Sequence, residues 1–296
     1  MRHAANTRLM AMAAAAAAAA AVLGLALGTR WWLQRPLQPD AVLAYKQVAG
    51  HTLVLHVFKP PAATATVPTP ALLLFHGGAW RQGDASQFHP QCRHFSRQGL
   101  TCISAVYRTA QRHHSTPADA LHDARDAMRH LRRNAAALGI DARRIAAGGG
   151  SAGGQLAAAL GVAVPLPDPA ADPLAPTRPD ALLLLNPMLD LAPGKPDHGL
   201  VAGMWRDLSP RQHVGPSMPP TLVMTGSADP EVALATVQDF CAAAQSHGVL
   251  CQLLVYDGAG HGFFNPDVDG GHHHRQTLQD MAGFLTRLGW LQPGAP

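Results

Sequence analysis

Gly148-Gly149-Gly150-Ser151-Ala152-Gly153-Gly154 is the stretch on which the reading of this chain turns. It follows the apolar segment Arg144–Ala147 and precedes the Ala- and Leu-rich run Ser151–Val162. Gly149-x-Ser151-x-Gly153 is a G-x-S-x-G pattern in the strand–turn–helix setting such a turn requires. So tight a turn strains the backbone of its serine and leaves neighbouring positions no room for side chains. It lifts Ser151 to the carboxyl edge of a sheet, at a helix N-terminus, with the Ala152 N–H turned toward any oxyanion formed there. The same string also spells G-x-G-x-x-G through Gly148, Gly150 and Gly153, a dinucleotide fingerprint. That alternative wants an acidic residue closing the next strand, about twenty residues on. Asp168 and Asp172 have the spacing but lie in a proline-rich loop, so no cofactor is expected.

Working outward, Phe75-His76-Gly77-Gly78-Ala79-Trp80 closes and follows the apolar strand Ala71–Phe75. Its glycines allow the N–H groups of Gly77, Gly78 and Ala79 to turn inward and, with Ala152, form an oxyanion hole. His76 is expected to order the loop rather than act as a base. C-terminal to the serine, Asp229 follows the strand Thr221–Thr225, and His261 follows the strand Cys251–Tyr256 within Gly258-Ala259-Gly260-His261-Gly262-Phe263. Ser151, Asp229 and His261 then stand in the chain order of a nucleophile, its orienting acid and its base. Asp257 and Asp190 are the rival acids. Pro230 is expected to open a helix running to His247, with Glu231 in its first turn.

Alternation organises the rest. Strands are also expected at Val42–Lys46, Thr52–Phe58, Thr101–Tyr107 and Ala181–Leu185, and helices at Gln87–Gln98, Pro117–Leu138 and His274–Leu288. Several strands are continuous apolar runs, as strands buried on both faces are. The expectation is an α/β fold with a mainly parallel sheet of about eight strands and helices on both faces. Residues 1–28 read as a secretory signal peptide or an uncleaved anchor through residues 9–28, residues 29–40 as a linker, and residues 41–296 as the catalytic domain. Either leader places the domain in the periplasm or outside the cell, and any membrane tether runs through that segment alone.

The charged residues are lopsided: three lysines, twenty arginines, eighteen aspartates and one glutamate, Glu231. A lone glutamate excludes an H-E-x-x-H metalloprotease helix, and no lysine ends a Walker A string. The net charge of +4 with scattered arginines argues against nucleic acid. The run around Arg129–Arg133 is expected to face water. Cys92/Cys102 and Cys241/Cys251 each join a helix to the next strand, either as disulfides or as small buried apolar residues. His272-His273-His274, with Asp267 and Asp269 nearby, lacks metal-ligand spacing and is read as a solvated loop, so no metal is expected.

The order H-G-G, G-x-S-x-G, Asp, His resembles the α/β-hydrolase superfamily in its esterase/lipase branch, which includes hormone-sensitive-lipase-like enzymes. Tyr107-Arg108, Arg144-Ile145-Ala146-Ala147-Gly148 and Trp205-Arg206-Asp207-Leu208-Ser209-Pro210 are closest to secreted bacterial acetylxylan- and feruloyl-esterase-like carbohydrate esterases. Gly150 stands where that branch usually has Asp, and Asp229-Pro230-Glu231-Val232-Ala233 replaces its D-x-x-V-P run. The resemblance implies a serine carboxylic ester hydrolase acting on short acyl esters, with an acetylated or feruloylated polysaccharide as partner. A lipase or general carboxylesterase on lipid or xenobiotic esters is the second reading, and a non-catalytic ligand-binding homologue the third. Trp80 and Phe263 are the expected substrate-binding residues.

Overall fold

The computed structural model describes residues 37–61 and 67–292; the predicted leader and residues 29–36 of the predicted linker lie outside the described residues. Among the described residues all regular elements lie in the unit Pro39–Pro296. Eight strands form one sheet: β1 (Ala41–Val48), β2 (His51–Phe58), β3 (Thr69–Phe75), β4 (Thr101–Ala105), β5 (Ile140–Gly150), β6 (Ala181–Leu185), β7 (Thr221–Gly226) and β8 (Cys251–Tyr256). Their order is β1-β2-β4-β3-β5-β6-β7-β8, with β2 antiparallel to both neighbours and every pair from β4 to β8 parallel. Every residue of β3, β4, β6 and β7 is buried, whereas edge strand β1 alternates with solvent. Those runs are apolar without alternation because helices cover both sheet faces.

The longer helices are α1 (His89–Arg97), α2 (Pro117–Arg133), α3 (Ala152–Gly161), α4 (Leu234–Ser246) and α5 (His272–Arg287). Phe95 of α1 and Phe284 of α5 pack on one face with Leu72, Leu74, Leu183 and Met224. Ala124 of α2, Leu156 of α3 and Val237 of α4 pack on the other with Leu73, Ala147, Leu182 and Val223. Thr116 and Asp119 form a reciprocal capping box that starts α2, with Pro117 in its first turn. The single helix predicted to Leu138 breaks at Asn134, whose side-chain N–H bonds the His130 carbonyl at 2.8 Å. Helix α4 begins at Leu234, four residues later than predicted.

The winding reverses at β3, since α1 leads to β4 on one side and α2 leads back to β5 on the other. Loops after β3 and β5 diverge there, and a crevice opens at the carboxyl ends of the strands. Both predicted cysteine pairs are disulfides: Cys92–Cys102 ties α1 to β4 and Cys241–Cys251 ties α4 to β8, with Cα separations of 4.9 and 5.3 Å. Among the described residues no helix is long and apolar enough to cross a membrane.

Of the arginines of α2 expected to face water, Arg133 does, whereas Arg129 and Arg132 are turned inward. Arg129 is buried and pairs with Asp126 and Asp168, Arg132 with Asp180, and Arg133 with Asp172. Arg125 donates to the Val164 and Leu166 carbonyls, so this helix face clasps the proline-rich excursion between α3 and β6. That pairing also uses Asp168 and Asp172, the acids a dinucleotide reading needed.

Candidate active site

Ser151 follows the last residue of β5 with φ 53 and ψ −119, a left-handed region that costs a non-glycine residue about 1–3 kcal/mol. Neighbouring contacts hold it there. Its N–H donates to the Leu185 carbonyl at 3.0 Å, and its carbonyl accepts from Gln155 at 3.0 Å and Met188 at 3.3 Å. A Cβ on Gly153 would lie 2.0 Å from the Phe75 carbonyl oxygen, so only glycine lets α3 start against the end of β3. A Cβ on Gly150 would lie 2.3 Å from Phe264 Cζ. Phe264, stacked on Phe88 at 5.6 Å, fills the volume where the resembling branch usually has Asp.

His76 is buried and its Nδ1–H donates to the Gly77 carbonyl at 2.8 Å. Burial pushes its pKa down to about 4, so it is neutral at pH 7 and orders the loop as expected. Tyr107 stacks on the His76 ring at 4.2 Å and donates its hydroxyl to the His76 carbonyl at 2.8 Å. The Gly77 N–H is taken by Gln87 Oε1 at 2.8 Å, which removes it from the predicted oxyanion donors. Gly78 (φ +115) and Ala79 (φ 54) line the cavity, and no acceptor among the described residues takes their N–H groups. Ala152 opens α3, where first-turn N–H groups lack helical acceptors.

Asp229 and His261 arrive on two stitched loops. Ala228 N–H donates to the Ala259 carbonyl at 3.0 Å and Ser227 N–H to Tyr256 at 2.9 Å. The Asp229 side chain, 1% exposed, meets His261 Nδ1 at 2.9 Å through Oδ2 and 3.1 Å through Oδ1. Its Oδ1 also accepts from the N–H groups of Glu231 at 2.8 Å and Val232 at 2.9 Å. Burial alone raises the Asp229 carboxyl, but the bonds from His261, Val232 and Glu231 outweigh it and hold the group below its ordinary range. Those bonds also explain the late start of α4, because Asp229 draws residues 230–233 into a non-helical turn. Glu231 is therefore no helix-start residue.

The rival acids serve elsewhere. Asp257 accepts from Ser227 Oγ at 3.1 Å, and Asp190 caps Ala192 and faces Lys195 at 3.7 Å. Ser151 and His261 line one cavity of about 420 Å³ with Gly77, Gly78, Ala79 and Phe264. His261 Nε2 is met by Glu231 Oε2 at 3.4 Å and Asn186 Nδ2 at 3.2 Å, and no hydrogen bond joins it to Ser151. Asn186, Phe264 and Glu231 also form the wall; the sequence ranked Phe264 below Phe263 and did not place Asn186 or Glu231 there. Asn186 alone carried a signal, as the polar residue directly after the all-apolar strand β6.

The two expected substrate-binding aromatics lie in the core. Trp80 is 1% exposed and donates from Nε1 to Gln155 Oε1 at 3.2 Å, pinning the loop after β3 to α3. Phe263 is buried against Tyr256, and its neighbour Phe264 reaches the cavity instead. His273 pairs with Asp269, and His274 Nδ1–H bonds the Phe264 carbonyl at 2.9 Å. Among the described residues no group of three His, Cys, Asp or Glu is placed to hold a metal.

Comparison with known proteins places this arrangement. Residues 55–166 match the BD-FAE family model and residues 194–287 the prolyl oligopeptidase family model. Esterase LipC of Mycobacterium tuberculosis is 31% identical over 247 residues, covering 75% of this chain and 59% of that protein. Ethyl acetate hydrolase of Pseudomonas putida is 37% identical over 127 residues, covering 42% of this chain and 39% of that protein. The chain thus spans about two-fifths to three-fifths of these curated relatives. The propionate-bound structure of esterase 2 from Thermogutta terrifontis superposes with a TM-score of 0.81 at 34% identity, covering 86% of this chain and 96% of that one. With that likeness across nearly the whole of a solved esterase, the chain belongs to the esterase/lipase family of α/β-hydrolases.

Proposed function

We propose that this chain is a serine carboxylic ester hydrolase whose triad is Ser151, His261 and Asp229. The observation that carries the proposal is the Asp229–His261 bond at 2.9 Å on Nδ1, which leaves Nε2 for the cavity that Ser151 shares. Ser151 Oγ attacks the ester carbonyl and gives its proton to His261 Nε2. The carbonyl oxygen becomes an oxyanion facing the N–H groups of Gly78, Ala79 and Ala152. The ester C–O bond then breaks, the alcohol leaves with the His261 proton, and an acyl-serine remains. Water repeats the sequence and releases the acid. Asp229 holds the imidazole tautomer and stabilises its charged form. Rotation of His261 from Glu231 toward Ser151 completes the relay, since catalytic hydrogen bonds often tighten only with substrate bound.

The substrate is a short acyl ester of a polar alcohol, with acetylated or feruloylated polysaccharide as the leading case. Five amide side chains in the cavity (Gln82, Gln87, Gln111, Asn186 and Asn265) support it. A general short-chain carboxylesterase is the second reading, favoured by the likeness to a protein named ethyl acetate hydrolase. The two disulfides support an exported domain, either secreted or periplasmic or tethered through residues 9–28. Ser151→Ala tests the function: p-nitrophenyl acetate hydrolysis falls by about 10⁴-fold or more while the melting curve persists. Unchanged turnover in that variant sinks the assignment and leaves the non-catalytic reading.

A further inference from the structure

Glu231 is the only glutamate in 296 residues, and its carboxylate stands in the cavity. Its Oε2 lies 3.4 Å from His261 Nε2, while Asp229 holds the other ring nitrogen. Among the described residues no lysine or arginine pairs with this carboxylate; Arg81, which shares the cavity, pairs with Asp197 at 3.0 Å. Its backbone is anchored by the bond from its own N–H to Asp229 Oδ1 at 2.8 Å. The acid that orients the base therefore also fixes where this second carboxylate stands.

In ester hydrolysis the leaving oxygen takes its proton from Nε2. Glu231 stands 3.4 Å from Nε2 before the ring turns toward Ser151, so its carboxylate borders the space that the next atoms of the leaving alcohol enter. The nearby amides divide into two kinds. Gln87 and Asn265 are spent on each other and on the loops, with Gln87 Nε2 donating to Asn265 Oδ1 at 3.1 Å and Gln87 Oε1 taking the Gly77 N–H. Gln82 and Gln111 line the cavity with no side-chain hydrogen bond among the described residues, and buried Asn186 Oδ1 has no partner. A charged acceptor and several unused amide groups suit an alcohol rich in hydroxyls. An alkyl alcohol would leave buried Asn186 Oδ1 unpaired and would displace water from the exposed Glu231, Gln82 and Gln111 without replacing its hydrogen bonds.

We propose that Glu231 sets the alcohol preference of this site by accepting hydrogen bonds from hydroxyl groups beside the ester oxygen, favouring esters of polyhydroxylated alcohols. The proposal rests on the hydrolase reading above. Glu231 takes no covalent part, and its proton state is the same before and after turnover.

The test measures kcat/KM for glycerol monoacetate and ethyl acetate, which share an acyl group, with the full chain and with Glu231→Leu and Glu231→Gln. The expected wild-type ratio favours glycerol monoacetate. It falls about tenfold in Glu231→Leu and about threefold in Glu231→Gln, which keeps an acceptor oxygen. Both esters are measured on one preparation, so any loss of folded protein cancels in the ratio. A wild-type ratio of one or less overturns the proposal. So does a ratio unchanged in Glu231→Leu, including one in which both rates fall together and Glu231 merely supports His261. Hydrolysis of neither ester by the wild type overturns the hydrolase reading itself, which is a distinguishable result.

Discussion

Glycine at 153 and glycine at 150 do different jobs, and substitution separates them. A methyl on Gly153 would meet the backbone oxygen of Phe75 at 2.0 Å, where nothing can yield. Gly153→Ala should therefore lose about 3 kcal/mol or more in urea denaturation or fail to accumulate as folded protein. A methyl on Gly150 meets the ring of Phe264 at 2.3 Å, a side chain that can shift. Gly150→Ala should fold with a loss of about 1–2 kcal/mol and a changed KM, because Phe264 is cavity wall. His76 supplies a pH prediction. Its pKa in the fold is about 4 against an ordinary 6.5, so the unfolded chain gains a proton before the folded chain does. Stability then falls as pH drops from 6.5 toward 4, by about 2.5 kcal/mol from this group at pH 4.5. His76→Gln should lose less stability between pH 7 and 4.5 than the wild type does, measured by urea denaturation at each pH. Equal losses would contradict that burial.

At the level of elements, each disulfide closes a short loop between a helix and its following strand, 10 residues apart in sequence. Each should contribute about 2–3 kcal/mol. Thiol titration of the denatured, unreduced protein should find none free, and reduction should expose four and lower the melting temperature. The buried strands and most helices were legible in the sequence because their cause is local: unbroken apolar runs, Thr116-Pro117 at a helix start, and glycine at tight turns. The start of α4 was not legible, because Asp229 takes the Glu231 and Val232 N–H groups only when His261 brings it to its place, 32 residues distant in sequence. Phe264 was ranked below Phe263 for a similar reason. Neighbours in sequence point apart, and the Gly150 gap that admits one ring is made by another strand. The triad residues were legible as types at strand ends and Asn186 as a polar residue after an apolar strand, whereas the place of Glu231 became visible only through its distance to His261.

Across the molecule, the ionic groups link the sheet edge to the site. Asp123 is fully buried and binds Arg108 through Nε at 2.8 Å and Lys46 of β1 at 2.7 Å. It also accepts the Arg108 backbone N–H at 3.0 Å, next to Tyr107, which holds the His76 carbonyl. Asp123→Ala should cost about 2–3 kcal/mol, because Lys46 keeps Asp126 and Arg108 keeps Asp119 but both lose their buried partner. It should also lower kcat for p-nitrophenyl acetate as the loop bearing Gly78 and Ala79 loosens; an unchanged kcat would disconnect that network from the site. The central claim is that Ser151 is the nucleophile, and covalent trapping tests it most directly. Intact-mass and peptide analysis after treatment with diethyl p-nitrophenyl phosphate should show one diethylphosphoryl group, on Ser151, appearing in step with loss of esterase activity and absent from Ser151→Ala. A label on another residue that tracks the loss of activity, or full activity with Ser151 labelled, would contradict the account.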